Sequence, residues 1–209
     1  MATITLQRKL EITEAAFKLV DGFHAANWMY HWDHWFGVGA PYGMHRLPDI
    51  GLAFFKYCCW KIDPQLQPVV VPTSSIPIPR VGHDPVLSWL RPFSLIDGSP
   101  VVEINPIAVD VSLNAGTLSM QSYPRCHAYA CNSIILHEAG HFLMHYDKIL
   151  LQVINSRSLY VELDPMDDAE AWCFASAVMS VALSERAYFQ KLNPGVPQLT
   201  PFRAMANAR

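Results

Sequence analysis

Apolar residues near the N-terminus recur at close to helical spacing. Leu6, Leu10, Phe17, Val20 and Phe23 alternate with charged positions, which predicts a helical segment over 3–36. That segment closes on an aromatic block of Trp28, Tyr30, Trp32, Trp35 and Phe36. Trp28, Trp32 and Trp35 fall on one helix face, and Gly37, Gly39, Pro41 and Gly43 end the pattern. A second helix is predicted over 48–61, opened by Pro48, with Leu52, Phe55 and Cys59 along one side. Nine of the 16 prolines lie in 63–106, which excludes a long helix there. Val69-Val70-Val71 predicts a strand, and so does Val101-Val102-Glu103-Ile104-Asn105; Pro100 and Pro106 at its two ends suit an edge strand.

The helical pattern returns over 126–146, where Ile134, Ile135, Phe142 and Leu143 supply packing positions. Asp164-Pro165 reads as an N-cap followed by the first helical residue, with Asp167 and Asp168 complementing the helix dipole. That helix is predicted to reach about Ser184, and a short tail helix follows Pro201. There is no internal repeat and no linker-like tract. The expectation is one helix-rich α+β domain with a small twisted β-sheet. Residues 1–40 form an aromatic helical extension and 48–184 the core.

Chemistry concentrates in one place. His137-Glu138-Ala139-Gly140-His141 is an HExxH motif inside the third helical pattern. Residues four apart share a helix face, so both imidazoles reach one metal ion, and Glu138 lies beside them as a proton acceptor. Two histidines and one carboxylate, with a position left open, are the ligand set of a catalytic zinc. Among the downstream acids, Asp167 and Asp168 are accounted for as first-turn charges, whereas Glu170 is deeper in its helix and precedes an apolar stretch. Glu170 is therefore the expected third ligand, with His145 and Asp167 as the alternatives. A tetrahedral intermediate at such a centre also calls for an electrophilic helper, for which His127, Tyr129, Tyr146 and Tyr160 are the candidates.

Composition narrows the function classes. The chain has 209 residues, is 51% hydrophobic and 16% charged, and carries a net charge of −3. This argues against disorder and against a phosphate-tracking basic surface, so no direct nucleic-acid contact is expected. The longest apolar run, Ala171-Trp172-Cys173-Phe174-Ala175, is far below the roughly 20 residues of a membrane span. Glu11 and Glu14 follow Arg8 and Lys9 where a signal peptide would turn apolar. Five cysteines without a CxxC framework read as reduced thiols, and the expected location is cytoplasmic. His31 and His34 on the aromatic helix read as ordinary polar residues, and the Trp stripe as core or a homodimer face.

The segments His137-Glu138-Ala139-Gly140-His141-Phe142-Leu143-Met144-His145 and Glu170-Ala171-Trp172-Cys173-Phe174-Ala175 resemble the ImmA/IrrE family of zinc metallopeptidases. The strand at 101–105 is similar to the short strand that precedes the motif helix in that family. The resemblance implies a zincin-like, gluzincin-type fold with Zn²⁺ on His137, His141 and Glu170 and with Glu138 catalytic. It further implies a protein substrate, a helix-turn-helix transcriptional repressor. Two other functions share the motif: a non-catalytic metal-containing protein-binding module, and a metal-dependent toxin or non-peptide hydrolase.

Overall fold

The computed structural model describes residues 3–25, 49–73, 87–94, 98–109, 127–158 and 163–192. Among these residues the elements run in the order α1 (Leu6–Ala25), α2 (Asp49–Ile62), β1 (Val69–Pro72), β2 (Ser88–Arg91), β3 (Val101–Ile104), α3 (His127–Ser156) and α4 (Pro165–Leu192). The result is a helix-rich α+β fold with one small mixed sheet. The Trp28, Trp32 and Trp35 stripe, His31, His34 and the tail beyond Pro201 lie outside the described residues.

Helix α3 is the centre of the fold. Every residue from 130 to 142 is buried. A helix enclosed on all sides needs apolar cover on more than one face, and α3 receives it from two cores. One core joins Leu136 to Ile12, Ala16, Val20 and Phe23 of α1, Phe54 and Tyr57 of α2, and Phe174 and Val178 of α4. The other joins Ile134, Ile135, Phe142, Ile149 and Val153 to Phe55 and Cys59 of α2 and to Leu90, Val102 and Ile104 of the sheet. Helix α2 thus feeds both cores. Phe54 packs near Phe23 and Phe174, at centroid distances of 5.4 and 6.4 Å, while Phe55 meets Phe142 edge-on at 5.5 Å.

The sheet order is β1-β3-β2, with β1 parallel and β2 antiparallel to β3. Val101 pairs with Val69, and Glu103 with Trp89. The strand at 101–105 is therefore central and not an edge: all four residues of β3 are buried. Its prolines flank the ladder without interrupting it, and the carbonyl of Pro100 accepts a hydrogen bond from Val69 N at 3.2 Å. Among the described residues the edge facing α3 belongs to β2, an element that the hydrophobic pattern does not announce.

Several helix boundaries follow local chemistry. Thr5 Oγ1 accepts the Arg8 backbone N–H at 3.2 Å and caps α1. Asp164 Oδ1 accepts the Met166 N–H at 2.8 Å, so the Asp-Pro start of α4 is realised as read. Helix α3 runs ten residues past Tyr146 because Ile149 and Val153 continue its buried side, and it stops where Arg157 adopts φ 55°. The buried side of α1 is Ile12, Ala16, Val20 and Phe23; Leu6, Leu10 and Phe17 are exposed, contrary to the pattern reading. Phe17 follows Ala16 by about 100° around the axis, which turns it away from the contact.

Candidate metal centre

The HExxH residues sit in the most enclosed part of α3. His137, Glu138, His141 and His145 are all buried. Burying four polar side chains is costly unless each finds a partner, so where their polar atoms point decides what the site can do. His137 Nε2 and His141 Nε2 converge to 3.1 Å, with their rings nearly perpendicular. Asp168 Oδ1, from the first turn of α4, completes the group at 3.2 Å from His137 Nε2 and 3.9 Å from His141 Nε2. One donor atom from each of the three residues lies within 4.8 Å of the others.

These separations suit one ion. Ligand bonds of about 2.0–2.1 Å in tetrahedral geometry place donor atoms roughly 3.3 Å apart. His141 is also in the right state. Burial first, then the neighbouring His137 and His141–His145 contacts, push the His141 imidazolium down to about 2, so the ring is neutral with a lone pair to offer. The His–His–Asp group can hold a metal ion. Among the described residues, the buried His137 Nδ1 has no hydrogen-bond partner, and the ring packs on Trp172, 4.2 Å between centroids.

The third member is Asp168; Glu170 lies outside the cluster. Two residues along a helix turn the side chain by about 200°, so the two carboxylates leave α4 on different flanks. Asp168 and Trp172, one turn apart, share the flank facing His137. Glu170 instead accepts two hydrogen bonds from Arg8 of α1, at 2.8 and 2.7 Å, and lies 3.3 Å from His145 Nε2. The Arg8 hydrogen bonds hold its carboxyl below the usual range. Asp167 pairs with Lys148 and stands 3.7 Å from His145 Nε2. Sequence reasoning passed over Asp168 because an acid in the first turn already has a reason to be there. The available signal was its i, i+4 relation to Trp172, an aromatic set in a helix whose partner carries the histidines.

Helix α4 reaches α3 this closely because position 140 has no side chain. A Cβ at Gly140 would meet Ala171 Cα at 3.1 Å and Phe174 Cδ1 at 3.2 Å. Glu138 lines one cleft with His137 and His141, on its sheet side, where Ser88 Oγ of β2 donates to its Oε1. Desolvation raises the Glu138 carboxyl above its ordinary range and Asp168 adds to this, while His137 and the Ser88 hydrogen bond oppose it. This cleft, of about 260 Å³, is walled by Leu87, Trp89, Leu90, Leu163 and Trp172. Its floor is polar and its walls are apolar, as in sites that bind and orient organic substrates.

Of the helper candidates, Tyr146 packs its ring on Phe142 at 5.1 Å. The side chains of His127 and Tyr129, and Tyr160 as a whole, lie outside the described residues. Among the described residues, no helix is long and apolar enough to cross a membrane. Comparison of the chain with protein-family models, with curated proteins and with solved structures finds no match.

Proposed function

We propose that this chain is a zinc-dependent endopeptidase of the ImmA/IrrE type, with a zincin-like fold. One observation carries the reading. Two histidines and an aspartate converge at the floor of an open cleft, and a buried glutamate from the same motif stands beside them. His137, His141 and Asp168 are the residues that would hold the ion. When bound, the ion supplies Lewis-acid polarisation of a carbonyl and brings the acidity of water near neutrality.

The remaining chemistry belongs to the chain. Glu138 Oε accepts a proton from the attacking water and returns it to the leaving amine. Its raised carboxyl suits both steps, because a base too weakly basic takes no proton and one too strongly basic does not return it. Ser88 holds one carboxylate oxygen, which fixes the direction of the other. Strand β2, at the sheet edge among the described residues and beside the cleft, would take an extended peptide as an added strand. A helix-turn-helix repressor is the substrate class to try first, on the strength of the motif resemblance alone.

The test is cleavage of candidate repressors by Zn²⁺-loaded protein, read by mass spectrometry of fragments. Glu138→Gln should lose at least about 100-fold in rate while retaining the ion. Equal cleavage by Glu138→Gln would overturn the mechanism. Binding of a repressor without fragments at any metal loading would favour a non-catalytic module.

A further inference from the structure

A chain of hydrogen-bonding groups leads from the metal cluster to the N-terminal helix. His141 Nδ1 lies 3.2 Å from His145 Nδ1, His145 Nε2 lies 3.3 Å from Glu170 Oε2, and Arg8 grips both oxygens of Glu170. Arg8 sits in the first turn of α1, where a cation opposes the helix dipole. It is held there by carboxylates, Glu170 and, at 3.5 Å, Glu11.

With one proton on each ring, the order of donors and acceptors along this chain fixes which nitrogen carries it. A neutral imidazole has one N–H and one bare nitrogen. His145 Nε2 faces two carboxylates, Glu170 at 3.3 Å and Asp167 at 3.7 Å, and carboxylates only accept. The proton of His145 is therefore on Nε2, and its Nδ1 is bare. A bare Nδ1 can only accept from His141, so His141 carries its proton on Nδ1. That leaves His141 Nε2 with an open lone pair, directed at the space shared with His137 Nε2 and Asp168 Oδ1.

We propose that Arg8, Glu170 and His145 form a tautomer relay that positions His141 as a ligand, making α1 part of the metal centre. The relay rests on the metal-centre reading above. It acts on one histidine of the pair, since His137 Nδ1 meets no acceptor among the described residues. Arg8, Glu170 and His145 are positioning residues and do not touch the reacting atoms.

The test uses the full chain, ¹⁵N-labelled and loaded with Zn²⁺, and reads imidazole tautomers by long-range ¹H–¹⁵N correlation. The relay requires His145 protonated on Nε2 and His141 on Nδ1; a proton on His145 Nδ1 overturns it. Zn²⁺ affinity is measured alongside by competition with a chromophoric chelator. Arg8→Ala and His145→Phe should weaken binding by about 10–100-fold. His145→Gln, whose amide oxygen can accept the His141 proton, should recover part of the loss. Wild-type protein that takes up no Zn²⁺ overturns the metal-centre reading itself. Wild-type binding matched by Arg8→Ala and His145→Phe overturns the relay alone. The tautomer measurement needs no variant, so it decides the matter even where His145→Phe fails to fold.

Discussion

Replacing Gly140 by alanine sets two opposed effects against each other. In an exposed helix interior the change stabilises by about 1 kcal/mol, because glycine is the more costly residue to order. At Gly140 the added methyl would lie 3.1 Å from Ala171 Cα, 3.2 Å from Phe174 Cδ1 and 3.3 Å from Ala171 O. Relaxed carbon contacts are about 3.5–4.0 Å, so roughly half an ångström must be found. Two of the three atoms are backbone of α4 and cannot rotate aside, so the helix as a whole must move. Overpacking of this kind costs about 1–3 kcal/mol. The net expectation is a destabilisation of about 1 kcal/mol, or roughly 2–4 °C in Tm for a chain of this size. The same displacement draws Asp168 away from His137, 3.2 Å distant, so under the proposed metal centre Zn²⁺ affinity should fall as well. Thermal unfolding by circular dichroism with chelator present, followed by Zn²⁺ titration, measures both. A variant that melts above wild type and binds Zn²⁺ as tightly would refute the claim that α3 and α4 are in closest packing here.

Two further outcomes follow from the site and the core. Ser88→Ala removes the hydroxyl that holds Glu138, and should cut peptide cleavage by about 10-fold without loss of the ion, with Ser88→Thr restoring most of it; unchanged turnover in Ser88→Ala would remove Ser88 from the mechanism. Burial pushes the Cys59 thiol up from 9.0 to about 12. The native state then keeps its proton where the unfolded chain has lost it. This thiol should therefore subtract about 1.4 kcal/mol of stability per pH unit as pH rises from 9.0 toward about 12. Urea unfolding of wild type and Cys59→Val across that range should show wild type losing ground as pH rises; parallel curves would contradict it.

What the chain reveals by itself follows the reach of each physical signal. The HExxH spacing, the Asp164-Pro165 helix start and the buried run around Ile134 and Phe142 are local, and each is realised where the residues put it. Non-local facts were not legible. The neighbours of β3 come from 69–72 and 88–91, and no periodicity within 101–105 reports that both its edges are taken. The four-residue β2 carries too short a pattern to stand out, yet it delivers Ser88 to Glu138. In α1 the helical spacing of Leu6, Leu10, Phe17, Val20 and Phe23 points to one buried face; Val20 and Phe23 are buried, but Ile12 and Ala16 complete the packed side in place of Leu6, Leu10 and Phe17. Asp168 and Glu170 differ by two positions and one methylene. Only the crossing of α3 and α4, with Arg8 drawing Glu170 toward α1, separates a residue in the cluster from one behind it.

His137, His141 and Asp168 are proposed to form a metal centre. Zn²⁺ stoichiometry and affinity of the full chain, compared with Asp168→Ala and Glu170→Ala, test it most directly. Wild type should bind one ion per chain, Asp168→Ala should lose tight binding, and Glu170→Ala should show a smaller weakening, about 10–100-fold. Tight binding retained by Asp168→Ala, with loss confined to Glu170→Ala, would contradict it.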